Sequence, residues 1–288
     1  MIIITIANQK GGVGKSTSTA MLGCELALRK YKTLLIDADP QGNLSEIFLD
    51  ISLIKTSLAN SLIGDKNLPL ETQILSTEIE NLDLVPSTIS LANFDREPPL
   101  SVTKLRTKLR EISSLYDFVL IDTPPNLGLL LTAALTASDK VVVPVQAAPL
   151  ALSGLRDLLD VVEKAKEINE KLEFLGAICT MFDSRTAISS ASYNALVEAL
   201  PDKIFNTIIN RSSKLEEAPA THQPIQLYAP NTRATEQYQK LGEEILKSLG
   251  LQKKKVKQKE EIFDVEIVKS YEKSCRNSFK RFAETSSK

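Results

Sequence analysis

The sequence predicts an α/β fold in which a mostly parallel, twisted sheet is covered by helices on both faces. Short runs that are almost continuously apolar alternate along the chain with longer stretches of helical period. Such apolar runs are typical of strands buried on both faces, and their alternation with helices indicates parallel strands. The chain has 288 residues, 43% hydrophobic and 25% charged, which suits one large domain with an appendage.

Five strands and four helices follow from these patterns. The strand-like runs are 2–7, 33–36, 118–121, 140–145 and 175–181, and the helical stretches are 16–29, 101–113, 151–168 and 189–200. In an open parallel sheet, ligands bind at the loops that follow the carboxyl ends of the strands. The polar segments directly after the predicted strands are therefore the expected functional sites.

A glycine-rich loop follows the first strand and opens the first helix. It reads Gln9-Lys10-Gly11-Gly12-Val13-Gly14-Lys15-Ser16-Thr17. Glycines allow a tight turn that points backbone N–H groups at phosphate oxygens, and the helix N-terminus adds its positive dipole end. Lys15 is expected to reach the β- and γ-phosphates, and the Ser16 hydroxyl to ligate Mg²⁺. The run predicts a P-loop NTPase rather than a simple glycine-rich turn, although Gln9 stands where the usual pattern has glycine.

Carboxylates end the second and third predicted strands. Asp37 and Asp39 follow the second, and Asp122 follows the third. A strand-terminal carboxylate can hold a magnesium-bound water opposite Ser16, because Mg²⁺ prefers hard oxygen ligands and keeps several waters. Hydrolysis also needs a group that orients water in line with the γ-phosphate, and either Asp37 or Asp39 could provide it. Alone, each would more often be a turn or capping residue; beside a phosphate loop, they indicate an ATPase centre.

Three motifs resemble those of the ParA/Soj family of deviant-Walker partition ATPases. They are NQKGGVGKST at 8–17, LLIDADPQGN at 34–43 and YDFVLIDTPPNLG at 116–128. The likeness continues through 180–186, 208–219 and 224–238, and thus covers roughly residues 1–250. It implies a domain at 1–250 that binds ATP and Mg²⁺ and hydrolyses ATP slowly, followed by a basic extension at 251–288.

The resemblance also implies a role for each residue of the centre. Lys10 is the signature lysine, which contacts nucleotide phosphates across a homodimer, and with Lys15 and Asp39 it forms the catalytic set. Asp39 would position the attacking water. Ser16, Asp37 and Asp122 would surround the metal, with Asp122 at the Walker B position. The implied nucleotide-binding residues are Gly11, Gly12, Val13, Gly14, Lys15, Ser16, Thr17, which would bond the α-phosphate, and Pro219, which would lie near the adenine.

Binding to duplex DNA is the third implication, through Arg211, Lys214 and Arg233. Sequence-independent binding needs only neutralisation of phosphates by Lys and Arg, and it weakens steeply with salt. Without the family, three scattered basic residues more often form a solvated face. In the family the ATP-bound homodimer binds DNA, the ADP form releases it, and a ParB-like centromere-binding partner stimulates hydrolysis.

Charge and cysteine usage exclude several other classes. The net charge of −1 does not by itself indicate nucleic-acid binding, so only a local basic patch could. The three cysteines (Cys24, Cys179, Cys275) have no CxxC spacing, which argues against a disulfide framework, a structural metal site or a metal-cluster carrier. No stretch approaches the ~18 apolar residues of a membrane span. We expect a cytoplasmic, nucleoid-associated protein with no membrane partner, and we expect His222, the only histidine, to be a surface residue.

The extension at 251–288 allows three interpretations. It carries eleven basic and six acidic residues and no glycine or proline, with apolar residues near the helical period. It could be a solvated or disordered extension, an additional DNA-binding arm, or a membrane-surface helix. Two function classes therefore stay open: a DNA-segregation ATPase, and a membrane-recruited positioning ATPase of the septum-site type.

Overall fold

A computed structural model describes residues 1–63, 68–148 and 151–251 of the chain. The amphipathic helix expected within 251–288, and the roles considered for it, lie outside these described residues. The boundary expected at residue 250 therefore stays a prediction. No helix within the described ranges is long and apolar enough to cross a membrane.

One sheet of seven strands forms the centre of the described chain. Its strands are β1 (Ile2–Ile6), β2 (Thr33–Asp37), β3 (Leu75–Ser76), β4 (Leu82–Val85), β5 (Phe118–Asp122), β6 (Lys140–Gln146) and β7 (Glu173–Thr180). They lie in the order β3-β4-β2-β5-β1-β6-β7. All neighbouring pairs are parallel except β3 with β4. The mostly parallel sheet predicted from the sequence is confirmed.

Ten α-helices lie between and after these strands in the part of the chain that the structure describes. They are α1 (Lys15–Leu28), α2 (Asn43–Glu46), α3 (Leu58–Leu62), α4 (Lys104–Glu111), α5 (Leu129–Ala137), α6 (Ala151–Lys166), α7 (Ala187–Ala199), α8 (Ser213–Glu217), α9 (Ile225–Tyr228) and α10 (Arg233–Ser248). The four helical stretches predicted from periodicity correspond to α1, α4, α6 and α7. The first turn of the stretch at 101–113 is a 3₁₀ turn, Pro99–Thr103, which precedes α4.

The sequence patterns missed two strands at one edge of the sheet. β4 is four residues long and includes Asp83, and β3 has only two residues. Neither forms the continuous apolar run that identified the central strands, because strands near an edge are short and partly exposed. The antiparallel β3 is the one departure from parallel pairing in the described sheet.

Alternate side chains of the central strands pack on opposite faces of the sheet. Leu35 belongs to the apolar cluster beneath α1 and α10, whereas Leu34 and Ile36 belong to the cluster beneath α3, α4 and α5. Both faces are therefore covered by helices, as the continuous apolar character of the strands requires. This packing fixes the carboxyl ends of β1, β2 and β5 side by side.

The outer edge of β7 is covered by the segment 204–210. Ala177 pairs with Ile204 near one end of this segment, and Phe182 pairs with Asn210 at the other. The Phe182 N–H donates to the carbonyl of Ile209 at 3.1 Å, and the Arg211 N–H donates to the carbonyl of Phe182 at 3.1 Å. Arg211 is thereby fixed beside the carboxyl end of β7.

Candidate nucleotide-binding site

A cleft of about 370 Å³ lies at the carboxyl ends of the strands, where the loops after β1, β2, β5 and β7 meet. Its lining residues are Gly11, Gly12, Gly14, Lys15, Ser16, Thr17, Asp39, Gln41, Asn43, Glu46, Ile47, Pro125, Met181 and Pro219. The structure thus brings most of the predicted nucleotide-binding residues into one cleft. Val13 is buried and does not line it.

The glycine-rich loop forms an open cradle at the start of α1. Gly12 and Gly14 have φ values of +70° and +85°, a left-handed conformation that favours glycine. No atom lies within 4 Å of a Cβ built on Gly11, Gly12 or Gly14, so the space above the loop is open. Gly14 is also the N-cap of α1 and has no side chain to cap the helix. The first N–H groups of α1 can therefore bind an anion.

Side chains from neighbouring strands hold this loop in place. The Asn8 amide donates to the Pro144 carbonyl at 2.7 Å, and the Thr180 hydroxyl donates to the Val13 carbonyl at 2.9 Å. The Asn8 side-chain oxygen also accepts from the Lys10 N–H at 2.9 Å. These contacts come from β6 and β7, so the loop sequence alone could not have indicated Thr180. These bonds consequently tie the loop to the sheet.

Gln9 links the loop to α6. Its side-chain amide donates to a carboxylate oxygen of Asp157 at 2.9 Å and to the Gly154 carbonyl at 3.2 Å. Glycine, the residue usual at this position, could form neither bond. The glutamine at position 9 therefore connects the phosphate loop to α6.

Lys15 is a buried cation at the floor of the cleft. Its ammonium donates to the Lys10 carbonyl at 3.3 Å. Burial lowers the pKa of Lys15 from its ordinary value, and the negative charges of Asp122 and Asp39 act in the opposite direction. A buried cation with few partners is well placed to bind phosphate oxygens, because a phosphate would restore the interactions that burial removes.

Asp122 is the least satisfied charged group among the described residues. It is fully buried, and neither carboxylate oxygen accepts a hydrogen bond of normal geometry. Burial raises the pKa of Asp122 well above its ordinary value, and the charge of Asp37 raises it further; the Ser16 hydroxyl and the Lys15 charge oppose the rise. Two partnerless oxygens beside a hydroxyl and a phosphate loop have the chemistry of a cation site.

Asp37 is fully buried as well, but its oxygens are occupied. One accepts from the backbone N–H of Ser45 at 2.8 Å and from its hydroxyl at 2.7 Å, and the other accepts from the Asp39 N–H at 3.1 Å. Burial raises the pKa of Asp37 to about 7, and the bonds from Ser45 limit the rise. In the described structure this carboxylate organises the loop after β2, a role of Ser45 that sequence reasoning missed.

Asp39 lines the same cleft as the phosphate loop. One of its oxygens accepts from the Gln41 N–H at 3.0 Å, which fixes the turn after β2. The adjacent turn needs Gly42, whose φ of +71° is left-handed, and Gly42 begins the short helix α2. The loop therefore holds Asp39 at the lining of the cleft.

The residues present fit a magnesium ion that arrives with a nucleotide. The described residues contain no group of three His, Cys, Asp or Glu side chains able to hold a metal by themselves. Mg²⁺ is commonly bound by one or two protein oxygens together with waters and substrate phosphates. The Ser16 hydroxyl and the partnerless Asp122 carboxylate supply that small oxygen set.

Several cleft residues gave no signal in the sequence. Met181 follows β7 with a left-handed φ of +51°, which is uncommon for a residue other than glycine. Asn43 and Glu46 come from α2, and Pro125 follows β5. Pro219, expected near the adenine, does line the cleft. These residues are distant in sequence, so only the fold brings them together.

The three basic residues expected to bind DNA do not line the cleft. Arg211 and Lys214 are close in sequence and exposed, and each forms an ion pair, with Glu216 at 3.4 Å and with Glu217 at 2.7 Å. Arg233 is exposed at the first residue of α10.

His222 lies at the surface, as the sequence predicted. His222 is exposed, with its Nδ1 2.7 Å from the Glu46 carbonyl oxygen. Cys24 and Cys179 are buried free thiols. Cys275 lies outside the described residues.

The chain is similar to known proteins in family, sequence and structure. A family model described as an AAA domain matches residues 1–174. The chain is 40% identical over 248 residues to the sporulation initiation inhibitor protein Soj of Bacillus subtilis, a match that covers 84% of this chain and 97% of the relative.

Two similar solved structures contain a nucleotide. A plasmid partition protein from Borrelia burgdorferi bound to AMPPNP is 30% identical with a TM-score of 0.71, covering 86% of this chain and 98% of that one. The septum site-determining protein from Pyrococcus horikoshii complexed with Mg-ADP is 26% identical, also with a TM-score of 0.71, covering 86% and 97%. Together with the phosphate loop and the carboxylates around it, these similarities lead to one conclusion: the chain belongs to the ParA/Soj family of partition ATPases.

Proposed function

We propose that this protein binds ATP and Mg²⁺ in the cleft and works as an ATP-dependent DNA-segregation switch. In this proposal an ATP-bound homodimer binds duplex DNA without sequence preference. Hydrolysis, slow in the isolated protein and stimulated by a ParB-like centromere-binding partner, then releases the DNA. The site of action would be the nucleoid in the cytoplasm.

The observation that carries the ATPase part is the partnerless Asp122 behind an open phosphate cradle. A fully buried carboxylate without hydrogen bonds is costly, so its retention is explained best by a cation that binds with the substrate. The Borrelia and Pyrococcus relatives contain AMPPNP and Mg-ADP, which supports the same ligand class. Mg²⁺, when bound, would neutralise charge on the β- and γ-phosphates.

The chain's own side chains would then divide the work of hydrolysis. The loop N–H groups and Lys15 would bind the β- and γ-phosphates, and Thr17 would bond the α-phosphate. Ser16 and Asp122 would hold the cation, with Asp37 close behind them. Asp39 would orient a water in line with the γ-phosphorus, because it is a carboxylate that lines the same cleft as the phosphate loop.

Lys10 would complete the centre from the partner subunit. Its side chain is exposed, and within the described residues its ammonium forms no ion pair. A second cation that reaches the phosphates only when two subunits enclose ATP would act as an arginine finger does. Dimerisation and hydrolysis would thereby depend on the same lysine.

DNA binding would use Arg211, Lys214 and Arg233. All three are exposed, and neutralising phosphates requires nothing more specific than reachable cations. The decisive experiment is binding to arbitrary-sequence duplex DNA with ATP, with ADP and without nucleotide, across a salt titration. Asp39→Ala would be included to slow hydrolysis and hold the ATP state.

The outcomes of that experiment separate the parts of the proposal. Tight, salt-sensitive binding with ATP and weak binding with ADP would support the DNA switch. Binding that is equal in all three nucleotide states, or absent at low salt, would refute the switch and leave the ATPase assignment in place.

A membrane-recruited positioning ATPase is the second candidate function. It is favoured by the structural similarity to the septum site-determining protein and by the basic residues of 251–288. The discriminating measurement is ATP-dependent binding to anionic liposomes, with Phe279→Ala and Phe282→Ala as the variants expected to lose it. Binding to DNA but not to liposomes would reject this candidate.

A further inference from the structure

The part of the cleft around Pro219 is formed by two segments that are distant in the sequence. Pro219 belongs to the 3₁₀ turn Ala218–Thr221, and Glu46 is the last residue of α2; both line the cleft. His222 directly follows the 3₁₀ turn. Its backbone N–H donates to the Pro219 carbonyl at 3.0 Å, and its ring Nδ1 lies 2.7 Å from the Glu46 carbonyl oxygen. One histidine thus joins the two segments.

The ring of His222 is the donor in its contact with α2. A carbonyl oxygen can only accept, so the bond requires the proton on Nδ1. Glu46 ends α2, and the last carbonyls of a helix have no partner within that helix. The His222 side chain therefore caps α2 from a different segment of the chain.

The backbone at His222 suits glycine better than histidine. Its φ of 53° and ψ of 35° are left-handed, a conformation that residues with a Cβ adopt at a cost. The side chain is also exposed, so burial in a core does not explain it. What histidine adds over glycine at this position is the hydrogen bond to Glu46.

The same short helix also contacts the carboxylates of the centre. Ser45, the neighbour of Glu46, donates its backbone N–H and its hydroxyl to Asp37. Gly42, which begins α2, donates its N–H to the Asp39 carbonyl at 3.0 Å. A helix of four residues is not stable by itself. The position of α2 therefore depends on contacts outside the helix, with the carboxylate loop on one side and with His222 on the other.

We propose that His222 is a positioning residue, which holds α2 against the Pro219 turn and so preforms the nucleoside end of the cleft. The inference rests on the proposed ATP binding, in which Pro219 would lie near the adenine. His222 acts through Glu46 and Pro219 and does not itself line the cleft. Without its bond, a nucleotide would have to order the two segments as it binds, and the cost of that ordering would lower the affinity.

The test compares ADP with inorganic pyrophosphate as ligands of the full chain, both with Mg²⁺, by calorimetry. Both ligands carry two phosphates, and only ADP has a nucleoside. His222→Gly removes the ring at a position whose backbone suits glycine. The variant is expected to bind ADP about 3- to 10-fold more weakly, the effect of one lost hydrogen bond. Its affinity for pyrophosphate is expected to equal that of the parent protein.

Two further variants separate the hydrogen bond from other effects of the change. In His222→Asn, the amide nitrogen is as many bonds from Cβ as Nδ1 is in histidine, so it can donate to Glu46, and asparagine tolerates the left-handed backbone. This variant should recover most of the ADP affinity. Lys30→Gly is the matched control, because Lys30 is exposed, has a φ of 66° and bonds to Glu80 just beyond the other end of α1.

The outcomes distinguish this inference from the function on which it rests. A loss of ADP affinity alone in His222→Gly, restored in His222→Asn and absent in Lys30→Gly, supports the positioning role. An ADP affinity equal to that of the parent overturns it and leaves nucleotide binding in place. Equal weakening of ADP and pyrophosphate also overturns it, because the effect would then not concern the nucleoside end. A parent protein that binds neither ligand refutes the proposed ATP site itself.

Discussion

Replacement of Asp122 by asparagine is expected to stabilise the nucleotide-free protein and to remove its response to Mg²⁺ and ATP. Asp122 is fully buried, neither oxygen accepts a hydrogen bond of normal geometry, and its pKa is raised well above the ordinary value, mainly by burial, although the Ser16 hydroxyl and the Lys15 charge oppose the rise. Asparagine has nearly the same shape and carries no charge. The variant therefore keeps the packing and removes the cost of a buried negative charge.

The size of the gain follows from the environment of the carboxylate. A buried charge without a partner costs several kcal/mol, and a neutral amide in the same place still lacks partners at about 1–3 kcal/mol. The difference is on the order of 2 kcal/mol, which corresponds to roughly 4–8 °C in the unfolding temperature of a domain of this size.

The gain depends on pH in a defined direction. A carboxyl whose pKa is raised by folding binds its proton more tightly in the folded state, so it lowers stability as the pH rises from its unfolded pKa of about 4 towards its folded pKa. The advantage of Asp122→Asn is therefore expected to be large at pH 8 and small near pH 5. Burial also raises the pKa of Asp37 to about 7, which adds a decline of the same sign in the parent protein.

Thermal unfolding with and without Mg²⁺ and ATP is the measurement. The parent protein should gain about 2.7 kcal/mol at a ligand concentration 100 times the dissociation constant, whereas Asp122→Asn should gain little. Asp160→Asn makes the same chemical change at an exposed position of α6 and should leave the unfolding temperature nearly unchanged. A variant less stable than the parent at pH 8, or one stabilised as strongly by Mg²⁺ and ATP, would refute the reasoning.

Three further outcomes are expected at the phosphate loop. Lys10→Gln should lower ATP turnover at least 100-fold and abolish ATP-dependent dimers in light scattering. The control Lys32→Gln should change neither property. Full ATP turnover by Lys10→Gln would exclude the proposed role of Lys10 in the partner's site. Gln9→Ala should weaken ATP binding about 5- to 30-fold in calorimetry, because two hydrogen bonds to α6 are lost. An unchanged affinity for ATP would show that these hydrogen bonds do not support nucleotide binding. Gly14→Ala should destabilise the nucleotide-free protein by about 1–2 kcal/mol because of its left-handed φ, whereas Gly11→Ala should not; equal stabilities would argue against strain.

The phosphate loop could be predicted from the sequence because its chemistry is local. Nine consecutive residues contain the glycines, the lysine and the hydroxyl, and the helix begins within them. Each of these features is required by the turn or by the phosphate. The central strands were equally clear, since burial on both faces leaves a continuous apolar run. The short strand β4 escaped detection because Asp83 interrupts it.

Other features depend on contacts that no local pattern records. The helix α5 is apolar almost throughout, so it lacks the one-sided period that identifies surface helices. Met181 lies in the cleft only because β7 ends beside β6, which in turn pairs with β1. The Asp122 oxygens lack hydrogen bonds of normal geometry because of how the whole sheet packs, which no local sequence pattern records.

The backbone around Phe182 connects the cleft with the exposed segment that contains Arg211. Met181 lines the cleft, Phe182 exchanges hydrogen bonds with Ile209 and Arg211, and Asp183 holds Arg185. Three consecutive residues thus join the lining of the cleft, at Met181, to the exposed arginines Arg185 and Arg211. A ligand that restrains Met181 should slow hydrogen–deuterium exchange at the Arg211 amide, so occupancy of the cleft becomes readable at the protein surface as a change in backbone protection.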